Sequence, residues 1–263
     1  MRVALSTFIL IACVTHSHAN QLLGITTVEV DNERAERSLS LSIWYPAEGG
    51  ESVDVGGNAV FIGVSVAQNA PIISGKFPLV LVSHGGLRSS NNSGAWLTSA
   101  LAQSGRIVVE INGMRPRSAK EAVNEIWQRP NDISRALDTI LKTTAYSARV
   151  EMERIAVVGY ALGGTAALAV AGGEFEAPTF IRSCAETRMK TPDCAWYKSQ
   201  NVNLDSVDQP QLISAWRDPR IKLAVAINAE YLNAFSDSGA SIAASSLLIT
   251  LGSDDQNGSA IQA

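Results

Sequence analysis

Five short, mainly apolar runs most constrain what this chain can fold into: Phe77–Ser83 (FPLVLVS), Arg106–Ile111 (RIVVEI), Arg154–Val158 (RIAVV), Ile221–Ile227 (IKLAVAI) and Leu247–Leu251 (LLITL). A run that is apolar at nearly every position, without alternation, is how a strand buried on both faces reads, as in a parallel sheet covered by helices. Helical patterns lie between the runs. Ile133, Ala136, Leu137, Ile140 and Leu141 recur at helical spacing after a start signal at Pro130, and Ala95–Gln103 forms a weaker pattern. Strand alternating with helix predicts a single doubly wound α/β domain. Ser38–Tyr45 (SLSLSIWY) instead alternates, which predicts a strand with one exposed face ended by Pro46. The segments 49–69, rich in glycine, and 182–217 read as excursions from the sheet, and no internal repeat or interdomain linker is visible.

The chain has 263 residues, 46% hydrophobic and 17% charged, with a formal net charge of -4. That composition suits one folded domain and argues against disorder. The 21 Lys and Arg are scattered, so the basic stripe needed to bind a phosphate backbone is missing and nucleic acid is not an expected partner. The longest apolar run at the front, from Val3 to Val14, is too short to span a bilayer but fits a secretory signal cleaved after Ala19. An alternative reading takes Leu10-Ile11-Ala12-Cys13 as a lipoprotein box anchored at Cys13. The chain is expected to be secreted or periplasmic, with 1–19 a signal peptide on the first reading and the chain anchored at Cys13 on the second, and no later segment is expected to cross a membrane. After cleavage at Ala19 the mature chain keeps Cys184 and Cys194, which form a disulfide or remain two buried thiols; a bridge would contribute roughly 2 to 3 kcal/mol and staple a stretch, 182–200, with little apolar pattern of its own.

One strand–turn–helix carries the chemistry: Arg154-Ile-Ala-Val-Val-Gly159-Tyr160-Ala161-Leu162-Gly163-Gly164, followed by small residues to Gly173. A Gly-x-nucleophile-x-Gly turn needs small flanking residues, because its central residue takes strained backbone angles and the helix packs close to the strand. Every part of that elbow is present except the nucleophile, since Ala161 offers only a methyl group. A tight packing turn is the competing explanation. Upstream, Phe77–Ser83 runs into His84-Gly85-Gly86, a loop type that supplies a backbone N–H to an oxyanion. Downstream, Leu247–Leu251 delivers Gly252-Ser253-Asp254-Asp255 to the carboxyl end of a strand. Strand, His-Gly loop, elbow and acid-bearing strand follow one another in the order of the α/β-hydrolase fold, which predicts three layers around a mostly parallel sheet.

Several motifs in this order resemble the bacterial predicted dienelactone hydrolases, an α/β-hydrolase branch similar to the platelet-activating-factor acetylhydrolases. They are Ile43-Trp44-Tyr45-Pro46-Ala47, Phe77-Pro78-Leu79 with Ser83-His84-Gly85, Arg129-Pro130-Asn131-Asp132-Ile133-Ser134, Arg154-Ile155, Asp218-Pro219-Arg220-Ile221-Lys222 and the Cys184/Cys194 pair. The resemblance implies a serine hydrolase of carboxylic ester or lactone bonds. It implies a nucleophile position at 161, a triad acid at Asp255 and oxyanion-hole N–H groups on Gly86 and Leu162. His84, Gly159 and Gly163 would be structural neighbours of the site.

The departures matter as much. All three histidines lie before residue 85, and none of the eight residues after Asp255 is a histidine. In this fold the triad base follows the acid. The domain, 20–263, is therefore expected to be cut short at its C-terminal end, and the chain as written is expected to be inactive. Three readings stay open: a truncated, decaying copy or pseudoenzyme; an incomplete or substituted sequence of an active esterase, with serine at 161 and the histidine beyond residue 263; and a binding module for a small apolar ligand or a partner protein. A small ester, lactone or lipid-like molecule is the expected ligand. The oligomeric state is not legible. No cofactor and no metal site is expected, because zinc spacing, a dinucleotide fingerprint and a P-loop are all missing.

Overall fold

The structure, a computed structural model, describes residues 22–30, 37–57, 62–85, 94–185, 192–236 and 243–250. The expected signal peptide, Cys13, Gly86 and Asp255 lie outside them. The chain first lays down β1 (Leu23–Val30), β2 (Leu39–Pro46), β3 (Ser52–Val55), β4 (Val64–Gln68) and β5 (Phe77–Ser83). Helix α1 (Ala95–Gln103), β6 (Ile107–Gly113), α2 (Ala119–Ala122), α3 (Glu125–Lys142) and α4 (Thr144–Ser147) follow. Then come β7 (Val150–Tyr160), α5 (Leu162–Ala171), α6 (Ala177–Arg182), α7 (Pro192–Ser199), α8 (Gln209–Leu212), β8 (Leu223–Ile227) and β9 (Ser245–Ile249).

These strands form one sheet in the order β3-β4-β1-β2-β6-β5-β7-β8-β9. From β6 to β9 every pairing is parallel, while β1–β2, β2–β6 and β3–β4 are antiparallel. Alternate residues of each central strand serve opposite layers, as the period of two requires. Leu79, Leu81, Ile107, Val109, Ile155 and Val157 face α3 and α5 and share a core with Ile133, Leu137, Ala166 and Val170. Val80, Val82, Val108 and Val158 point the other way and pack with Trp44 and α1 residues Ala95 and Ala102. The result is a three-layer α/β domain with the mostly parallel sheet in the middle.

The predicted strands are present, with shifted ends, and all but the last are covered by the two helical layers. The run at Arg154 extends back to Val150, and the run at Ile221 starts two residues late because Lys222 and Ile221 make the connecting turn. β2 departs from expectation: it is buried along its length rather than exposed on one face. It pairs with β1 and β6, α1 covers its serine face, and Ser42 is satisfied by the Asn112 side chain at 3.1 Å. β9 departs from the expectation of a strand buried on both faces: among the described residues it pairs with β8 alone, none of its five residues is buried, and Leu247 is 52% exposed.

Pro130 does not start its helix. α3 begins five residues earlier and carries the proline inside. The missing proline N–H removes one backbone hydrogen bond, but the first turn is held by side chains, with Glu125 bound to both Arg37 and Arg129. The segment 49–69 is not simply an excursion, because β3 and β4 pair antiparallel and β4 extends the sheet beside β1. Ser-Val-Asp-Val and Val-Ser-Val are alternating runs short enough to be masked by their glycines. Likewise 182–217 carries a core of its own, in which Tyr197, Leu204, Leu212 and Val207 pack with Phe175, Phe180 and Tyr231. Their apolar residues are spaced too irregularly for a helical period to show.

Candidate functional site

Strands β5, β7 and β8 end side by side. Ser83 pairs with Gly159, and Gly159 and Tyr160 pair with Ala226 and Ile227. The carboxyl ends of parallel strands are where an open α/β sheet places its chemistry, and the expected elbow sits there between β7 and α5. Ala161 has φ 52° and ψ -123°, a conformation a residue with a Cβ rarely adopts. The surroundings hold it: its N–H donates to the Ile227 carbonyl at 2.9 Å, and its own carbonyl accepts from the Gly164 N–H at 2.8 Å and the Thr165 N–H at 3.2 Å.

The flanking glycines are required by contact. A Cβ on Gly159 would stand 2.0 Å from the Gly163 carbonyl oxygen, and one on Gly163 would stand 1.8 Å from that of Ser83. Helix α5 thus rests on β7 and β5 with no room for a methyl group. Gly85 closes over the same turn, since a Cβ there would meet the Tyr160 carbonyl oxygen at 2.3 Å and the Ala161 Cβ at 2.4 Å. The His-Gly loop and the elbow are therefore in direct contact. The Leu162 N–H, in the first turn of α5, has no acceptor among the described residues, which leaves it and the positive end of the helix facing the turn.

His84 lies behind that loop. Burial, assisted by the positive charge of Arg129, lowers its pKa to about 4 against weaker opposition from Asn112 and Gly85, so the ring is neutral at neutral pH. Its Nε2 is 3.9 Å from Oε1 of Glu110, a fully buried carboxyl on β6. Burial pushes Glu110 up to about 7, opposed by the hydrogen bond it accepts from the Gly94 N–H at 2.7 Å. Between pH 4 and 7 the pair is therefore neutral on both sides. Glu110 ties the start of α1 to β6, while Arg129 donates to the His84 carbonyl and pairs with Glu125 at 3.1 Å. Arg37 completes a buried ionic group with Glu125 and Asp132, and Asp132 also holds Arg135 at 3.3 Å. A cavity of about 30 Å³ lies among His84, Arg129, Glu125 and Arg37, enough for one or two waters but not for a substrate.

Sequence reasoning singled out neither Glu110 nor Glu230. Glu110 was visible as a lone charge inside a buried run, which is costly unless it has a task. Glu230 follows β8 and touches the elbow through its backbone: its carbonyl accepts from the Thr165 hydroxyl, and its N–H points to the Ala161 carbonyl at 3.4 Å. Its carboxyl is pushed up to about 7 by burial and then by the neighbouring Asp193, with Arg129 opposing. The loop is strained on both sides of it, Asn228 and Tyr231 having φ 47° and 52°. The expected disulfide is formed, with Cys184 and Cys194 Cα atoms 5.2 Å apart. It ties α7 to the end of α6 beside Asp193, and the Tyr197 hydroxyl of α7 donates to the Ala122 carbonyl at 3.0 Å. Among the described residues no group of three or more His, Cys, Asp or Glu could hold a metal ion, and no helix is long and apolar enough to cross a membrane.

No family model matches this sequence, and no curated protein matches it. Solved structures do. A ferulic acid esterase from Streptomyces cinnamoneus superposes with a TM-score of 0.50 at 19% identity, over 80% of this chain and 60% of that one. A bacterial heroin esterase gives 0.42 at 14% identity over 82% and 47%, and a hyperthermophilic esterase from the archaeon Pyrobaculum calidifontis gives 0.38 at 14% over 78% and 45%. This chain thus spans about 60% of the length of the first and less than half of the others. The likeness is one of architecture, and the architecture is the α/β-hydrolase fold.

Proposed function

We propose that this chain presents an esterase-type site that binds a small carboxylic ester, lactone or lipid-like ligand without cleaving it. The observation that carries the reading is Ala161 held at φ 52° in an otherwise complete elbow. A hydrolase spends that strain to expose a nucleophilic oxygen above the sheet. Here the same position carries a buried methyl group, which can neither attack a carbonyl nor be activated by a base. The binding half of the chemistry has its support in the Leu162 N–H, aimed at the turn, and in Gly85, seated on it. In this reading the Gly86 N–H is the second oxyanion donor and Asp255 stands at the position of the triad acid. A ligand carbonyl would be polarised by the two N–H groups and go no further. His84 and Glu110 then have a positioning role, bracing the two ends of the loop that carries Gly86. The disulfide is compatible with export after removal of 1–19, which forms part of the same proposal.

Labelling with a fluorophosphonate probe tests the reading together with ester binding. We expect no covalent label, and hydrolysis of p-nitrophenyl butyrate no faster than the residual roughly 10³ to 10⁴ over water that binding and an oxyanion hole sustain without a triad. Ethyl ferulate and a medium-chain γ-lactone should raise the melting temperature. Stoichiometric labelling or robust turnover would overturn the claim of inactivity, and no shift with any ester or lactone would overturn the claim of binding.

A further inference from the structure

A second cleft lies on the outer side of α3 and uses none of the elbow residues. It has a volume of about 390 Å³ and is walled by Trp127, Gln128 and Asn131 of α3, by Gln211 of α8 and by Trp216. We propose that this cleft binds a neutral oligosaccharide, a chain of pyranose sugars. The proposal does not rest on the reading of the elbow.

Three features specify that chemistry. The first is an aromatic wall: the half-buried Trp127 and Trp216, whose rings stack on one another with centroids 6.0 Å apart and planes 17° from parallel, both border the cleft. Their N–H groups are already used, by the Asn124 side chain at 2.9 Å and the Leu212 carbonyl at 3.4 Å, so the rings offer hydrocarbon to the cleft. The C–H groups of a pyranose ring pack against aromatic carbon of this kind. The second is a set of three side-chain amides. Each has donors and an acceptor, as a sugar's hydroxyls do. Gln128 is oriented, because its Oε1 accepts from Arg37 at 3.1 Å and its NH₂ is left to donate. The Asn131 and Gln211 amides form no hydrogen bond to another described residue, although both border the cleft.

The third feature is the state of the charges. Arg37 is engaged by Glu125 and Asp132. Arg135 is engaged by Asp132 at 3.3 Å and by the Arg37 carbonyl at 3.0 Å. The guanidinium groups at the floor are thus matched within the protein, and a ligand carboxylate or phosphate would have to compete with buried carboxylates for them. A neutral polyhydroxyl ligand need not. The cleft's size is within the range of small-molecule sites.

Titrating the full chain with xylotetraose, cellotetraose and mannotetraose, followed by tryptophan fluorescence and calorimetry, tests this. We expect at least one tetrasaccharide to bind saturably with a fluorescence change, and its affinity to vary less than about twofold between low and high salt, since no exposed charge is involved. The double variant Asn131→Ala/Gln211→Ala should keep the wild-type melting temperature, because neither side chain packs in a core, and should lose about tenfold or more in affinity through its missing hydrogen bonds. Absence of saturable binding by all three sugars would overturn the proposal. So would binding that is unchanged in the double variant, or displacement of the sugar by benzoate in a salt-sensitive manner.

Discussion

Gly163→Ala isolates the packing that creates the elbow. The added Cβ would lie 1.8 Å from the Ser83 carbonyl oxygen and 2.6 Å from its carbonyl carbon. Relief to an ordinary contact of about 3.4 Å requires α5 and β5 to separate by about 1.5 Å. Neither partner yields easily: β5 is paired on both sides, to β6 and β7, and α5 is buried along its whole length. Overpacking of this kind costs about 1 to 3 kcal/mol or more. The intrinsic preference of a helix for alanine over glycine offsets up to about 1 kcal/mol. Because the clash is with backbone atoms rather than a side chain that can rotate, we expect the upper part of the range and a net loss of about 2 kcal/mol or more. For a chain of this size that is a fall in Tm of roughly 4 to 8 °C, measurable by circular dichroism. The Leu162 N–H would move with the helix, so ester binding should weaken as well. A Tm within a degree of wild type, with ester binding intact, would refute the packing described for the turn.

Replacing both Cys184 and Cys194 by serine opens a loop whose ends are 10 residues apart and should cost about 3 kcal/mol by loop entropy; urea unfolding measures it, and an unchanged midpoint would mean α7 is held by its core contacts alone. The raised pKa of Glu110 makes stability fall as pH rises from its unfolded value near 4.5 through its folded value of about 7, by about 3 kcal/mol in all. Glu110→Gln keeps an acceptor for the Gly94 N–H and removes that loss, so the variant should gain on wild type between pH 5 and 8. His84 works in the other direction, its lowered pKa removing stability as pH falls from about 6.5 to 4. Arg37→Ala leaves two buried carboxylates one cation short and should cost about 3 kcal/mol, whereas Lys76→Ala, at an exposed site, should cost almost nothing.

The layered fold was legible because its signal is local. Phe77–Ser83 and Arg106–Ile111 are apolar at nearly every position, which only a strand covered on both faces requires. The elbow was legible too: Gly159, Ala161 and Gly163 are spaced by a turn whose close approach permits no Cβ. Other features depend on residues far apart in the chain. Arg37 meets Glu125 and Asp132 across some 90 positions, and only after β2 and α3 are docked. Nothing local to Pro130 announces that a preceding turn of helix will be held by those same ion pairs. The strand pair at 49–69 and the small core at 182–217 were hidden for a related reason, since their apolar residues find partners in other segments rather than in their own period.

Composition and pattern alone thus determined the alternation of the central strands with the helices between them, the turn at which a nucleophile would stand and the fact that alanine stands there. Tertiary structure decided the rest. It set the strain on Ala161, the neutral states of His84 and Glu110, the placing of Glu230 against the elbow and the cleft bordered by Trp127 and Trp216. The division has one physical cause: backbone periodicity is written in neighbours along the chain, whereas burial, which sets charge states and shapes cavities, exists only once distant segments have come together.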